Sequence, residues 1–218
     1  MTNFIVRKVA VLGAGVMGAQ IAAHCVNANV PVVLFDLPGK DDPDGIVRKA
    51  VGGLKKLEPA PLALKGLDAY IEIANYDRDL DKLADCDLII EAIAEKMEWK
   101  HDLYRKVAPY VAPHAIFTSN TSGLSINALA EALPEELQPR FCGVHFFNPP
   151  RYMALVELIA CHGTDPELLD QLETFLTTTL GKSVVRALDT PNFIANRVGV
   201  FSILAVMHHT ARLGLGFD

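Results

Sequence analysis

The sequence lacks cysteines at metal-site or redox spacing. Its four thiols, Cys25, Cys86, Cys142 and Cys161, are scattered, and none forms a C-x-x-C pair. That removes the pattern of a disulfide framework or a zinc ribbon. Three of the four sit in apolar runs, as the reduced core residues of an intracellular protein do. No apolar run is long enough to span a bilayer, and no leader-like segment stands before the first strand, so the expectation is a cytoplasmic chain with no membrane span. An excess of positive charge is missing too. The formal net charge is -6, which argues against nucleic acid as a general partner. Internal repeats and low-complexity tracts are also absent. What is present is 218 residues, 50% of them hydrophobic, enough for one sizeable core or a core with a small appendage.

The chain is organised around Val9-Ala10-Val11-Leu12-Gly13-Ala14-Gly15-Val16-Met17-Gly18. An apolar run ends in Gly-x-Gly-x-x-Gly, and Met17, Ile21, Cys25 and Ala28 then recur at helical spacing. Gly13 permits a sharp exit from the strand, Gly15 lets backbone approach a pyrophosphate, and Gly18 lets the helix pack on the strand. The helix N-terminus offers free N–H groups and the positive end of its dipole to the phosphates. Asn27 and Asn29 suit the end of that helix, and Pro31 prevents continuation. A second strand, Val32 to Phe35, closes on Asp36, about 20 residues past the glycines, where an acid accepts from an adenosine ribose. Its charge would repel a 2′-phosphate, so NAD is expected over NADP.

Further along, Leu37 to Asp44 reads as a loop, Gly45 to Leu57 as a helix and Leu62 to Ala69 as a second short helix. Arg48, Lys49, Lys55, Lys56 and Lys65 cluster here, either as a solvated helix face or as an anion contact. Ile71 to Asn75 is a weak strand and Asp87 to Ala92 a stronger one leading through Ala94 to Glu95. Glu95 and Lys100, one helical turn later, are candidates for ligand contact at the carboxyl end of a strand, or else an ordinary exposed pair. Ala115 to Thr118 ends in Ser119-Asn120-Thr121-Ser122-Gly123, which suits either a site for a polar substrate group or a helix cap.

Two anomalies explain one another. His145 lies inside an apolar and aromatic strand, Phe141 to Phe147, and Glu157 lies in the middle of Leu155-Val156-Glu157-Leu158-Ile159. A charge left alone there would be costly. If the two strands are neighbours, Glu157 accepts from one imidazole nitrogen and leaves the other free to act as a base. Asp165 to Leu180 reads as a helix with Pro166 in its first turn and Gly181 after its end, and Ser183 to Arg186 as a last short strand. A final helix from Asn192 to about Arg212 is apolar nearly all round, which requires burial on several sides. Adjacent His208 and His209 would point roughly 100° apart on it and would not chelate one metal. No metal site is expected.

Together these runs resemble the L-3-hydroxyacyl-CoA dehydrogenase family. The match rests on Gly13 to Gly18, Ile90-Glu91-Ala92-Ile93-Ala94-Glu95, Ser119-Asn120-Thr121-Ser122, His145-Phe146-Phe147-Asn148-Pro149, Leu155-Val156-Glu157, and Asp189-Thr190-Pro191 through Asn196-Arg197. The resemblance implies an α/β, Rossmann-type doubly wound, mostly parallel sheet over residues 1–188. It implies that 189–218 begin an all-α C-terminal domain of which only the first helix is present. The implied reaction is NAD-dependent oxidation of a 3-hydroxyacyl-CoA to the 3-ketoacyl-CoA, as in fatty-acid β-oxidation, with an acyl-CoA as the bound partner. By the same resemblance His145 is the general base, Glu157 orients it, and Ser122 and Asn196 hold the reacting oxygen or thioester carbonyl. The expected cofactor contacts are Gly13, Gly15, Val16, Met17, Gly18, Asp36, Ala94, Glu95, Lys100, Asn120 and Ser122, and the basic segment after Asp36 matches the region that meets CoA.

Two departures stand out. Asn192 occupies a position where the family usually has glycine, and the helical domain that completes the cleft is incomplete. This implies NAD binding with little or no turnover by the chain alone, and self-association through the final helix. A non-catalytic NAD-binding module is the alternative reading. A hydroxyacid dehydrogenase of another subfamily would need a different catalytic group, commonly a lysine, and would lack His-Phe-Phe-Asn-Pro.

Overall fold

β1 (Val9–Leu12) is apolar at every position because the sheet around it is covered on both faces. The computed structural model describes residues 5–216; residues 1–4 and 217–218 of the two expected segments lie outside them. The strands that follow are β2 (Val32–Asp36), β3 (Ile71–Asn75), β4 (Leu88–Glu91), β5 (Ile116–Ser119), β6 (Phe141–Phe146), β7 (Leu155–Ala160) and β8 (Ser183–Ala187). They form one sheet in the order β3-β2-β1-β4-β5-β6-β7-β8. β1 to β6 run parallel, β7 pairs antiparallel to β6, and β8 runs parallel to β7. This is the doubly wound, mostly parallel architecture the motifs imply.

Alternation along β1 divides the core. Val9 and Val11 face one cluster with α1 (Val16–Asn27), α2 (Gly45–Gly53) and α5 (Pro166–Thr178). Ala10 and Leu12 face the other, with α3 (Met97–Val107) and α4 (Ile126–Ala130). The chain crosses from one face to the other between β1 and β4, so their carboxyl ends open into the crevice where ligands of such sheets lie. All four cysteines are buried and free, and burial pushes the Cys25 and Cys86 thiols up to about 12.

Three boundaries differ from the sequence reading, each for a physical reason. The helix after Asp44 ends at Gly53 and continues only as a 3-10 turn at Leu54–Lys56. The expected helix over Leu62 to Ala69 is reduced to a 3-10 turn at Leu67–Tyr70. Its upstream backbone is engaged elsewhere: the Arg151 guanidinium donates to Ala60 O and Leu62 O, and the Asn27 side chain bonds Pro61 O and Ala63 N. Asn27 thus ties two segments together, while Asn29, at φ 60, makes the left-handed exit from α1. The last helix, α6, starts at Ala195, not Asn192, because Asn192 and Phe193 hold positive φ values of 64 and 50. An asparagine tolerates that left-handed backbone, which accounts for its standing at this position. No residue of α6 is buried; Val198, Phe201 and Leu204 are at least 58% exposed, against the expectation of burial on several sides.

α1 carries a buried imidazole. His24 Nε2 donates to Leu180 O at 3.0 Å, and burial, helped by the charge of Lys182, pushes His24 down to about 4. An unfolded histidine takes up a proton near pH 6.5, so this neutral group stabilises the fold above that pH and the contribution is lost as pH falls toward 4. His24→Gln, which keeps a donor for Leu180 O, is expected to lose about 2–3 kcal/mol less stability than the unsubstituted chain between pH 7 and pH 4. Urea denaturation at the two pH values checks this.

Candidate functional site

The glycine turn leaves β1 at Gly13, where φ is 108 and an added Cβ would lie 2.8 Å from Ala92 O. Gly18 is tighter still: a Cβ there would come within 1.8 Å of Gly13 O, so no side chain fits between helix and turn. In front of Gly15 nothing lies within 4 Å. α1 has no side-chain cap and no acid in its first turn, so its first N–H groups at Val16 and Met17 face this open space without an intrahelical acceptor. Backbone donors, a dipole end and room for close approach fit a pyrophosphate.

Asp36 Oδ2 accepts from Ala14 N at 2.6 Å and Oδ1 from Leu37 N at 2.7 Å, so the acid braces the glycine turn. It also lines a cavity of about 410 Å³ with Ala94, Tyr76, Trp99 and Leu103. A largely apolar cleft with Asp36 at its wall, and Asp102 and Lys106 also lining it, fits an adenosine. Asp36 is the residue expected at an adenosine ribose and Ala94 one of the expected cofactor contacts, whereas Tyr76 and Trp99 are not among the expected residues. A lone tryptophan one turn into the helix after Glu95 was the available signal.

Beneath the turn lies Glu91, completely buried at the end of β4. Its Oε1 accepts from Lys100 Nζ at 2.5 Å and Ile93 N at 2.8 Å, and its Oε2 from Tyr104 OH at 2.8 Å and Ser119 Oγ at 2.7 Å. Every acceptor direction of this carboxylate is in use, the condition under which a buried charge is tolerated. Here the structure corrects the expectation for Lys100. It is 1% exposed and neither a free ligand contact nor an exposed helix partner; its ammonium sits on Glu91 and reaches Glu95 at 3.5 Å. Glu91 itself was not singled out from the sequence.

Glu95 gathers the next loop. It accepts from the Thr121 hydroxyl, from Ser122 N at 2.8 Å and from Gly123 N at 3.2 Å. Partial burial raises its carboxyl, but the Thr121 hydroxyl, Lys100 and Ser122 N–H outweigh that and hold it below the usual range. Ser122 O accepts from Asn196 Nδ2 at 3.1 Å, while Asn120 Oδ1 accepts from Phe146 N at 2.9 Å. Glu95, Ser122 and Asn196 therefore stand in one bonded group, and Asn120 joins the carboxyl ends of β5 and β6 beside it.

The same sheet end holds the dyad. His145 and Glu157 are cross-strand partners on β6 and β7, with His145 Nδ1 2.8 Å from Glu157 Oε2. Exposures of 3% and 1% leave neither group to water. An ionised carboxylate only accepts, so Nδ1 carries the hydrogen and the lone pair is on Nε2. Phe147 lies 4.4 Å and Phe193 5.8 Å from the imidazole, centroid to centroid. The other oxygen, Glu157 Oε1, accepts from Ile194 N at 2.9 Å and Ala195 N at 2.8 Å, the start of α6. Of the basic cluster, Lys55 is paired to Asp68 at 2.7 Å and Arg48 to Asp42 at 3.2 Å. Among the described residues no group of three His, Cys, Asp or Glu is placed to hold a metal ion, and no helix is long and apolar enough to cross a membrane.

A family model described as the 3-hydroxyacyl-CoA dehydrogenase, NAD binding domain, matches residues 8–190. The chain is 46% identical over 214 residues to a putative fatty acid oxidation complex trifunctional enzyme of Rickettsia prowazekii, covering 97% of this chain and 30% of that protein. It is 45% identical over 212 residues to a probable 3-hydroxyacyl-CoA dehydrogenase of Deinococcus radiodurans, covering 96% and 61%. The crystal structure of M. tuberculosis FadB2 matches with a TM-score of 0.83 at 29% identity, over 97% of this chain and 74% of that one. The chain thus spans less than two thirds of either curated relative.

The Glu91 network makes a measurable demand. Glu91→Gln takes away the nearer of the two carboxylates on the buried Lys100 ammonium, leaving Glu95 at 3.5 Å, and is expected to cost about 3 kcal/mol. Glu91→Gln combined with Lys100→Met should cost clearly less than the two single changes summed. Urea denaturation of the three variants at pH 7 gives the comparison.

Proposed function

Starting from the fact that this chain belongs to the family of 3-hydroxyacyl-CoA dehydrogenase NAD-binding domains, we propose that it carries the cofactor site and the proton-transfer group for oxidising L-3-hydroxyacyl-CoA to 3-ketoacyl-CoA in fatty-acid β-oxidation. The observation that carries this reading is the buried pair His145–Glu157 at 2.8 Å, standing at the strand ends where the glycine turn also opens.

NAD, when bound, supplies the acceptor for the hydride that leaves C3 of the substrate. The rest falls to the protein. His145 Nε2 takes the proton of the 3-hydroxyl, and Glu157 keeps the hydrogen on Nδ1 and balances the charge of the imidazolium that results. Phe147 and Phe193 flank the ring and keep water from the base. Ser122 and Asn196 hold the reacting oxygen or the thioester carbonyl. Asn120 and Glu95 take the nicotinamide ribose, with Lys100 acting on it through Glu95, and Asp36 takes the adenosine ribose. Gly13, Gly15, Val16, Met17 and Gly18 form the pyrophosphate turn, and the basic segment after Asp36 meets the CoA. Residues 1–188 form the cofactor domain; 189–218 open a helical domain whose further helices cover the apolar faces of α6. Where those are missing, a second copy of α6 covers them. Four buried thiols suit a reducing compartment such as the cytoplasm.

NADH is expected to bind the 218-residue chain in isothermal titration, and His145→Ala is expected to leave that binding within about twofold. For turnover, the chain is fused to the C-terminal helices of a relative and NADH oxidation is followed with acetoacetyl-CoA. There, His145→Ala should lower kcat by about 10²–10⁴-fold. Binding of NADH with a rate indifferent to His145 would leave only a nucleotide-binding module.

A further inference from the structure

The segment 189–196 is fixed at four places by its polar groups, at Asp189, Asn192, the Ile194–Ala195 amides and Asn196, and of these the dehydrogenase reading uses only Asn196. Asp189 accepts four hydrogen bonds from one short stretch: Ser125 Oγ at 2.7 Å, Ile126 N at 2.9 Å, Asn127 N at 2.9 Å and Asn127 Nδ2 at 2.6 Å. Asn127 is itself fixed, because its Oδ1 accepts from His162 N at 2.8 Å. Next along the segment, the Asn192 side chain packs against Gly123, where an added Cβ would meet Asn192 Oδ1 at 3.3 Å. Ile194 N and Ala195 N then close on Glu157 Oε1, and Asn196 Nδ2 on Ser122 O.

Asp189 lies outside every contact the proposed reaction needs. Its carboxylate joins the far end of the Ser122 loop to the start of the strap that delivers Asn196 and the two N–H groups on Glu157. Between these anchors the backbone runs through two consecutive left-handed residues, Asn192 and Phe193. Such a conformation on non-glycine residues persists only where the surroundings hold it. Phe193 is 2% exposed against the His145 ring, which supplies one hold; Asp189 supplies the other.

We propose that Asp189 is a positioning residue: by anchoring the strap to Ser125–Asn127 it keeps the N-terminus of α6 on Glu157 and Asn196 on Ser122. This rests on the reading of His145, Glu157 and Asn196 as site residues, but its test does not need turnover. Hydrogen exchange of the Ile194 and Ala195 amides reports the Glu157 contact directly, at a place Asp189 does not touch.

In Asp189→Ala, exchange at these two amides is expected to rise at least about tenfold, while amides of β1 and β4 and the NADH affinity stay within about twofold. Asn127→Asp sets carboxylate against carboxylate and should accelerate exchange similarly. If Asp189→Ala fails to fold, Ser125→Ala and Asn127→Ala each remove part of the same anchor and should raise exchange in smaller steps. Unchanged exchange in Asp189→Ala, or in Ser125→Ala and Asn127→Ala where Asp189→Ala fails to fold, overturns the proposal. The two readings part on the measurement: turnover in His145→Ala tests the dehydrogenase reading, whereas exchange in Asp189→Ala, with His145 intact, tests the anchor alone.

Discussion

A carboxylate cannot be buried with oxygen lone pairs left over, and at Glu157 that constraint shapes one end of the molecule. One oxygen is satisfied by an imidazole from the neighbouring strand, the other by two backbone N–H groups at the start of a helix. The helix dipole adds to the second contact, since its positive end faces the charge. Neither partner alone would suffice, because an unpaired charge in such surroundings costs several kcal/mol. The histidine and the last helix are therefore held by the same group, and the left-handed turn at Asn192 and Phe193 is the bend that lets the helix reach it. Glu91 repeats the solution between β4 and α3 with different donors, a lysine, a tyrosine, a serine and one backbone N–H.

What could be read in the amino-acid order was whatever has a strong local cause. The strand, three glycines, helix and closing acid follow one another in the chain, so their geometry is local and legible. The pairing of His145 with Glu157 was legible for another reason: each is a polar residue in an apolar strand, and each is the other's remedy. The same logic applied to Ile89-Ile90-Glu91-Ala92 would have found Glu91, but its partner Lys100 sits on a helix face that otherwise looks exposed. A lysine among Glu98, Trp99 and His101 reads as solvated; only the tertiary fold turns it inward. Residues Leu62 to Ala69 have the composition of a helix, yet Arg151, from a distant loop, and Asn27 engage the backbone of residues 60–63. Non-local competition of this kind leaves no mark in a window of eight residues. The apolar character of α6 was plain, whereas its exposure depends on what lies beside it.

Membership of the family explains why the elements of the site lie so far apart in the chain and so close in space. The glycine turn and Asp36 come from the first two strands, the loop groups from β4 and β5, and the dyad from the strand pair that reverses direction. Each is a strand end, where backbone leaves the sheet and side chains are free to point into the crevice. Packing on both faces makes the sheet rigid, and the loops inherit that rigidity through buried carboxylates at their bases.

The reversal of β7 carries one last consequence. His145 and Glu157 face each other as a single rung of an antiparallel ladder, and side chains alternate sides with every residue. Sliding one strand past the other by one position would swing the acid to the opposite side of the sheet and strand it among hydrocarbon. The dyad is thus a checksum on strand alignment: a copy that closes its final strands out of step forfeits its imidazole partner along with its stability.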